Sequence, residues 1–139
     1  MKRRVNVIWK GNGADGMGHM STQSKAINQM PYSFKSRFEN EDGALGTNPE
    51  ELIVSALAAC FNMKLAFVLN ESNYHPKKLD TKAVLNFEEG VITKIEMDLK
   101  ASIPDINQDE FNSLAEEAKQ NCPISGVLKC DILLEASLV

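Results

Sequence analysis

The side chains in this sequence best suited to chemistry are its thiols. It holds three cysteines, Cys60, Cys122 and Cys130, and two histidines, His19 and His75. A thiolate is a nucleophile that peroxides oxidise, and two thiols can close a disulfide and be reopened. A closed zinc site needs four converging ligands, and no cysteines here stand in a C-x2-C spacing to begin one. No metal and no cofactor is implied. An odd number of cysteines also argues against a fully paired structural framework.

The three thiols have different settings. Cys60 falls within the most apolar run of the chain, Ile53 to Phe61, where a free cysteine packs readily as a small hydrophobe. On spacing alone it reads as core before it reads as catalyst. Cys122 stands between a helical pattern and Pro123, and a new helical turn after the proline would lend it thiolate character. Cys130 leads into the last strand and reads as structural. His19 and His75 read as surface loop residues.

Other patterns carry less. Gly11-Asn-Gly13-Ala-Asp-Gly16 satisfies G-x-G-x-x-G after a strand, but no helical period follows to hold a pyrophosphate. It reads as a hairpin loop. Lys2-Arg3-Arg4 reads as a solvated strand end, since about three phosphate contacts give little affinity at cellular salt. The net charge of −4 and the lack of a basic cluster make nucleic acid a poor partner. No stretch reads as the ~20 apolar residues that span a bilayer, and the start lacks a secretory apolar region. The expectation is a cytoplasmic protein without membrane contact, where disulfides are transient.

The elements that must hold these thiols follow from periodicity. Residues 3–9 predict a strand, and 19–39 two short strands around Asn28 to Pro31. Asn48 is a good N-cap, Pro49 suits the first helical position, and Glu50 and Glu51 suit the first turn. Leu52, Ala56, Ala59/Cys60, Met63 and Phe67 then repeat at helical spacing to about Asn70. A helix apolar on most sides is expected to be buried. Residues 80–88 and 91–103 predict strands, the second alternating through Ile95, Met97, Leu99, Ala101 and Ile103. Asn107, with Glu110 as capping-box partner, opens a helix striped with Phe111, Leu114, Ala115 and Ala118, which Pro123 ends. A last strand runs over 131–139. The order predicts a single α+β domain over 1–139, not an alternating βαβ one.

With these elements in place, Gly46-Thr47-Asn48-Pro49-Glu50-Glu51-Leu52-Ile53, Ala58-Ala59-Cys60-Phe61 and Cys122-Pro123-Ile124-Ser125 with Val127-Leu128 closely resemble the OsmC/Ohr family, the osmotically inducible and organic hydroperoxide resistance proteins. Residues 29–39, through Arg37, look more like the OsmC branch. The resemblance implies an OsmC-like fold, antiparallel sheets around long buried central helices, in an intertwined homodimer. It implies a thiol-dependent peroxidase in which Cys60 is peroxidatic and Cys122 resolves it as a disulfide. It places Glu50 and Arg37 in the site. In the Ohr branch the arginine comes from the N-terminal loop, and here no arginine stands between Arg4 and Arg37. The partners implied are an organic hydroperoxide and an external dithiol reductant, dihydrolipoyl compounds in at least the Ohr branch.

The residues support this chemistry. A buried thiol needs a cation to ionise, a guanidinium supplies one, and a carboxylate can hold that guanidinium. Glu50 and Cys60 are ten residues apart, ~15 Å along one straight helix. Either the helix bends or Glu50 serves the Cys60 of a second subunit, and the apolar helices favour the second. Walls of Ile53, Leu57 and Phe61 would favour bulky organic hydroperoxides over hydrogen peroxide. Two rival readings stand beside this one: a thiol–disulfide oxidoreductase acting on proteins, and a non-enzymatic binding module with its cysteines in the core.

Overall fold

The computed structural model describes all residues from Met1 to Val139. The chain folds into two compact units, Met1–Leu52 and Ile53–Val139.

The first unit is built on a three-stranded antiparallel sheet. β1 (Val5–Lys10) pairs with β2 (Met17–Thr22), which pairs with β3 (Met30–Ser33). The glycine loop joins β1 directly to β2, so no helix follows it. Gly11 takes a left-handed φ of +92°, and a Cβ on Gly16 would lie 2.3 Å from the Asn12 carbonyl oxygen and 2.5 Å from the Trp9 ring. The spacing that mimics a dinucleotide motif is thus a tight turn. His19 lies within β2 opposite Ile8, not in a loop as expected, because β2 begins at Met17.

The second expected strand of this region is shorter than the sequence predicts. After Ser33 the chain turns into a short helix, α1 (Phe34–Phe38). Ser33 and Ser36 cap its start reciprocally: the Ser36 N–H donates to Ser33 Oγ at 3.0 Å, and the Ser33 N–H donates to Ser36 Oγ at 2.9 Å. A serine pair three apart satisfies two amide donors that a strand would have paired.

α2 runs without a break from Pro49 to Glu71, as the sequence predicts. Asn48 Oδ1 accepts from the Glu51 N–H at 2.8 Å, an N-cap bond. At the far end Asn73 takes a left-handed φ of 64° and the chain leaves the helix. By length and apolarity α2 would pass for a membrane span, contrary to the expectation that no stretch is long and apolar enough. One face of α2 instead packs into the protein core. Leu57, Phe61, Leu65, Val68 and Leu69 are buried. The stripe that the sequence singled out lies elsewhere: Ala56, Ala59, Met63 and Phe67 are exposed, with Phe67 61% open. The helix is apolar on two faces, and one chain covers one of them.

That core belongs to the second unit. β4 (Lys78–Glu88) pairs antiparallel with β5 (Val91–Ser102), and β5 pairs parallel with β6 (Asp131–Leu138). The parallel pair corrects the expectation of purely antiparallel sheets. Parallel neighbours need a long crossover, and α3 (Gln108–Gln120) supplies it, so β5-α3-β6 is one βαβ unit within an α+β chain. The alternation along β5 holds: Ile95, Met97, Leu99 and Ala101 are buried, and they share a core with Phe111, Ala115 and Ala118 of α3.

Asn107 caps α3 by accepting from the Glu110 N–H at 2.9 Å. The Glu110 carboxylate accepts from the Tyr74 hydroxyl at 2.8 Å, which ties α3 to the chain leaving α2. Gln108 clamps β6, donating to the Ala136 carbonyl at 3.0 Å and accepting from the Leu138 N–H at 3.1 Å.

Removing the Phe111 ring is expected to cost ~3–5 kcal/mol, and removing the Asn107 cap (Asn107→Ala) ~0.5–2 kcal/mol. Denaturant unfolding of Phe111→Ala and Asn107→Ala measures both; a Phe111 loss no larger than that of a surface substitution would contradict this core.

Candidate active site

The second unit brings Cys60 and Cys122 together. Cys60 sits on α2 between exposed Ala59 and buried Phe61, and is itself half-buried. Cys122 is 1% exposed. All three cysteines are free thiols. The thiols of Cys60 and Cys122 lie close enough for each to act on the other's ionisation.

What presents Cys122 is a short turn. Asn121 caps the end of α3, its N–H donating to the Glu117 carbonyl at 3.0 Å. Pro123 cannot continue α3 and has no N–H of its own. The chain then makes a single 3-10 turn, Ser125–Val127, with Ile124 in helical conformation before it. The Gly126 N–H donates to the Cys122 carbonyl at 3.1 Å and closes the turn. The N–H groups of Ile124 and Ser125 both reach the Cys122 sulfur, and that of Ile124 also reaches Cys60. The sequence expected a helical turn after Pro123 to favour a thiolate, and these two amides are its physical form.

The two thiols are pushed in opposite directions. Burial raises the Cys60 thiol above its ordinary value, and the hydrogen bond to Cys122 raises it further; the Ile124 N–H opposes this without prevailing. Burial is also the largest influence on Cys122, and acts upward. The Ser125 N–H, the Cys60 thiol, the Ser125 hydroxyl and the Ile124 N–H together outweigh it and bring Cys122 below its ordinary value. The donors of the turn thus favour the charged form of Cys122 over that of Cys60.

Arg37 and Glu50 form a second cluster, in the first unit. Arg37 Nε donates to both Glu50 oxygens at 3.1 Å, and Nη2 donates to Oε1. The Phe38 ring lies 4.8 Å below the guanidinium. Glu50 is the more enclosed partner, its side chain 16% exposed against 37% for Arg37. A carboxylate that grips a guanidinium along one edge fixes its orientation.

Other candidates fall away from this chemistry. Cys130 is half-buried and packs against the apolar core, in keeping with a structural role. His75 is exposed beyond the end of α2. Leu57 and Phe61, expected as walls of a substrate pocket, are fully buried in the core instead. Sequence reasoning gave no role to the amides of Ile124 and Ser125 or to the Ser125 hydroxyl. Their signal was Pro123, which leaves the next two residues as the nearest amide donors.

Comparison with known proteins identifies the family and its fold. Residues 40–137 match the family profile of the OsmC-like proteins. The chain belongs to the OsmC-like family. It is 41% identical over 134 residues to the Escherichia coli (strain K12) protein named peroxiredoxin OsmC, covering 94% of this chain and 92% of that one. It is 29% identical over 93 residues to an organic hydroperoxide resistance protein-like 2 of Staphylococcus epidermidis, covering 65% and 66%. Among solved structures, an OsmC-like protein of unknown function from Vibrio cholerae superposes with a TM-score of 0.74 at 14% identity, covering 99% of both chains. The organic hydroperoxide resistance protein OhrB of Bacillus subtilis gives 0.66 at 24% identity, covering 96% and 98%. These likenesses establish the family fold.

The coupled thiols make a signed prediction. Cys122→Ala is expected to lower the titration midpoint of Cys60, because a hydrogen bond and a neighbouring charge that raise it disappear. Cys60→Ala is expected to raise the midpoint of Cys122, because a donor to its thiolate is lost. Residue-resolved alkylation against pH reads both; two midpoints unmoved by removal of the neighbour would mean that the sulfurs do not interact.

Proposed function

We propose that this chain is a cysteine-based peroxidase that reduces organic hydroperoxides. The observation that carries it is the mutual influence of two reduced thiols brought together from distant parts of the sequence. A sulfenic acid formed on one has the other within reach, so it can be trapped as a disulfide before further oxidation. The family's curated names, peroxiredoxin and organic hydroperoxide resistance protein, support the same reaction.

Exposure supports the assignment of roles. A peroxide must reach the attacking sulfur, and Cys60 is half-open while Cys122 is sealed. Cys60 is therefore the peroxidatic residue and Cys122 the resolving one. The Cys60 thiolate attacks one peroxide oxygen, the O–O bond breaks, and the departing alkoxide takes a proton to become an alcohol. Cys60 is left as a sulfenic acid. The Cys122 thiolate then attacks the Cys60 sulfur, the S–O bond breaks, hydroxide leaves as water after protonation, and the disulfide closes. An external dithiol reopens it by exchange, and dihydrolipoyl compounds are the class that the family resemblance favours.

Cys60 needs a cation to take this role, since burial and its neighbour raise its thiol while the turn lowers that of Cys122. Arg37, oriented by Glu50, is that cation. Glu50 and Cys60 lie on one unbroken helix, ten residues apart, ~15 Å along the axis. This supports a site that joins the Arg37–Glu50 pair of one subunit to the Cys60 of another. The uncovered stripe of Ala56, Ala59, Met63 and Phe67 on α2 supports a homodimer, as do the open Val5 and Val7 of β1. The same exposed stripe borders Cys60 and supports organic over hydrogen peroxide. Residues 1–139 then act as one domain of the family, since the matched region runs through both units. Three free thiols suit the reducing cytoplasm.

One equivalent of cumene hydroperoxide is expected to consume two thiols per chain, forming a Cys60–Cys122 bridge and sparing Cys130. Cys60→Ser abolishes turnover, and Cys122→Ser allows one reaction and then builds up sulfinic acid. Unchanged thiol counts would favour a binding module. Arg37→Ala is expected to raise the Cys60 midpoint and, where thiolate is scarce, to slow the first step about threefold for each unit of that rise.

Met63→Glu is expected to give monomers by sedimentation and to lose turnover. Full activity in a monomer would exclude a shared site. Hydrogen peroxide reacting as fast as cumene hydroperoxide would exclude the substrate preference.

A further inference from the structure

The Ser125 hydroxyl is the one buried side-chain oxygen or nitrogen in the chain without a hydrogen-bond partner. Buried hydroxyls are almost always paired, so a lone one calls for a cause. It lies in the turn that presents Cys122, and it is among the groups that act on that sulfur. A neutral thiol is a weak acceptor, which leaves the bond incomplete. A thiolate is a strong one, and a hydroxyl rotor can swing its proton onto it.

We propose that Ser125 is a positioning residue for disulfide closure: its buried hydroxyl, idle beside the neutral thiol, donates to the Cys122 sulfur when that sulfur becomes the attacking thiolate. The Ser125 N–H already reaches the same sulfur, so one residue supplies two donors to it. The backbone of the turn is fixed by the Gly126 N–H on the Cys122 carbonyl, and by the Leu128 N–H on the Ser125 carbonyl at 3.3 Å. The side-chain oxygen is thereby held near the sulfur without a bond of its own to break. This deepens the peroxidase reading and rests on it for the step concerned, attack of Cys122 on the Cys60 sulfenic acid.

Such a donor acts in two opposing ways. It increases the fraction of Cys122 present as thiolate, and it makes that thiolate less nucleophilic, with a sensitivity of ~0.4–0.5. Losing the donor therefore slows closure where thiolate is scarce and speeds it where thiolate is complete. A turn that was merely damaged would slow closure at every pH.

The test follows disulfide closure after a single equivalent of cumene hydroperoxide, by acid quench and mass analysis across pH, in the parent protein, Ser125→Ala and Ser125→Thr. In Ser125→Ala the midpoint of the closure profile moves up. For a shift of about one unit, closure is about threefold slower below both midpoints and about threefold faster above them. Ser125→Thr, which keeps a hydroxyl, restores the parent profile. Uniform slowing in Ser125→Ala, or an unmoved profile, overturns the proposal.

Alkylation of Cys122 against pH, without peroxide, provides a second readout. Its midpoint must also rise in Ser125→Ala, and an unmoved midpoint overturns the proposal whether or not peroxide reacts. If neither protein loses thiols to peroxide, the peroxidase reading fails, and the alkylation result still decides the role of Ser125 at Cys122.

Discussion

Two sulfurs within hydrogen-bond reach in a partly buried setting cannot both carry charge, because each would feel the other across a low dielectric. The donors that surround the pair therefore bias which sulfur ionises first. Much of the second unit serves to set those donors. α2 carries Cys60, and α3 ends so that Cys122 follows it. The proline-led turn then aims the Ile124 and Ser125 amides at the sulfurs. β5 lies against the same core that buries Leu57 and Phe61 on α2 and Phe111 on α3. A shift of either helix would part the sulfurs, so the rigidity of this core is also the precision of the redox pair.

The second constraint is that α2 is apolar on two faces. A helix with one apolar stripe is finished when a sheet covers it. Here the sheet side takes Leu57, Phe61, Leu65 and Val68, and Met63 and Phe67 are left open. Cys60 stands at the border between these faces. A partner covering the open face would put the reactive sulfur at the subunit boundary, where a guanidinium from the other chain can arrive. On the proposed dimeric site, the charge on the thiol pair and the assembly of the chain would be one problem, since the cation that moves charge onto Cys60 would come with the partner.

Much of this was legible in the sequence, for identifiable reasons. α2 was announced by Asn48, Pro49 and two glutamates, and the structure supplies the cap bond to Asn48. β5 was legible from alternation, since one of its faces is buried and the other open. The parallel pairing of β6 was not, because periodicity specifies a strand and not its neighbour. α1 was missed because its signal is a pair of serines in a stretch too short to show a period. The apolar stripe of α2 was seen but assigned to the wrong side. Hydrophobicity alone does not say whether a stripe meets its own sheet or another chain. Of the site, the cysteines were legible through their matched motifs, and the amides were not, since backbone donors leave no mark on residue type.

The proposed order of ionisation gives the two motifs a common logic. Cys122 must be quiet while Cys60 meets peroxide and charged immediately afterwards. A cation beside Cys60 draws the shared charge to that sulfur, which returns the proton to Cys122 and leaves the Ser125 hydroxyl without a strong acceptor. Once Cys60 is a sulfenic acid it is neutral, and the guanidinium has no thiolate left to hold. The Ile124 and Ser125 donors then face a Cys122 whose neighbour no longer competes for charge, and ionisation there becomes favourable at the moment it is needed. Neither donor set has to move. On the proposed mechanism, the oxidation of one sulfur would be enough to transfer control of the charge from the arginine to the turn.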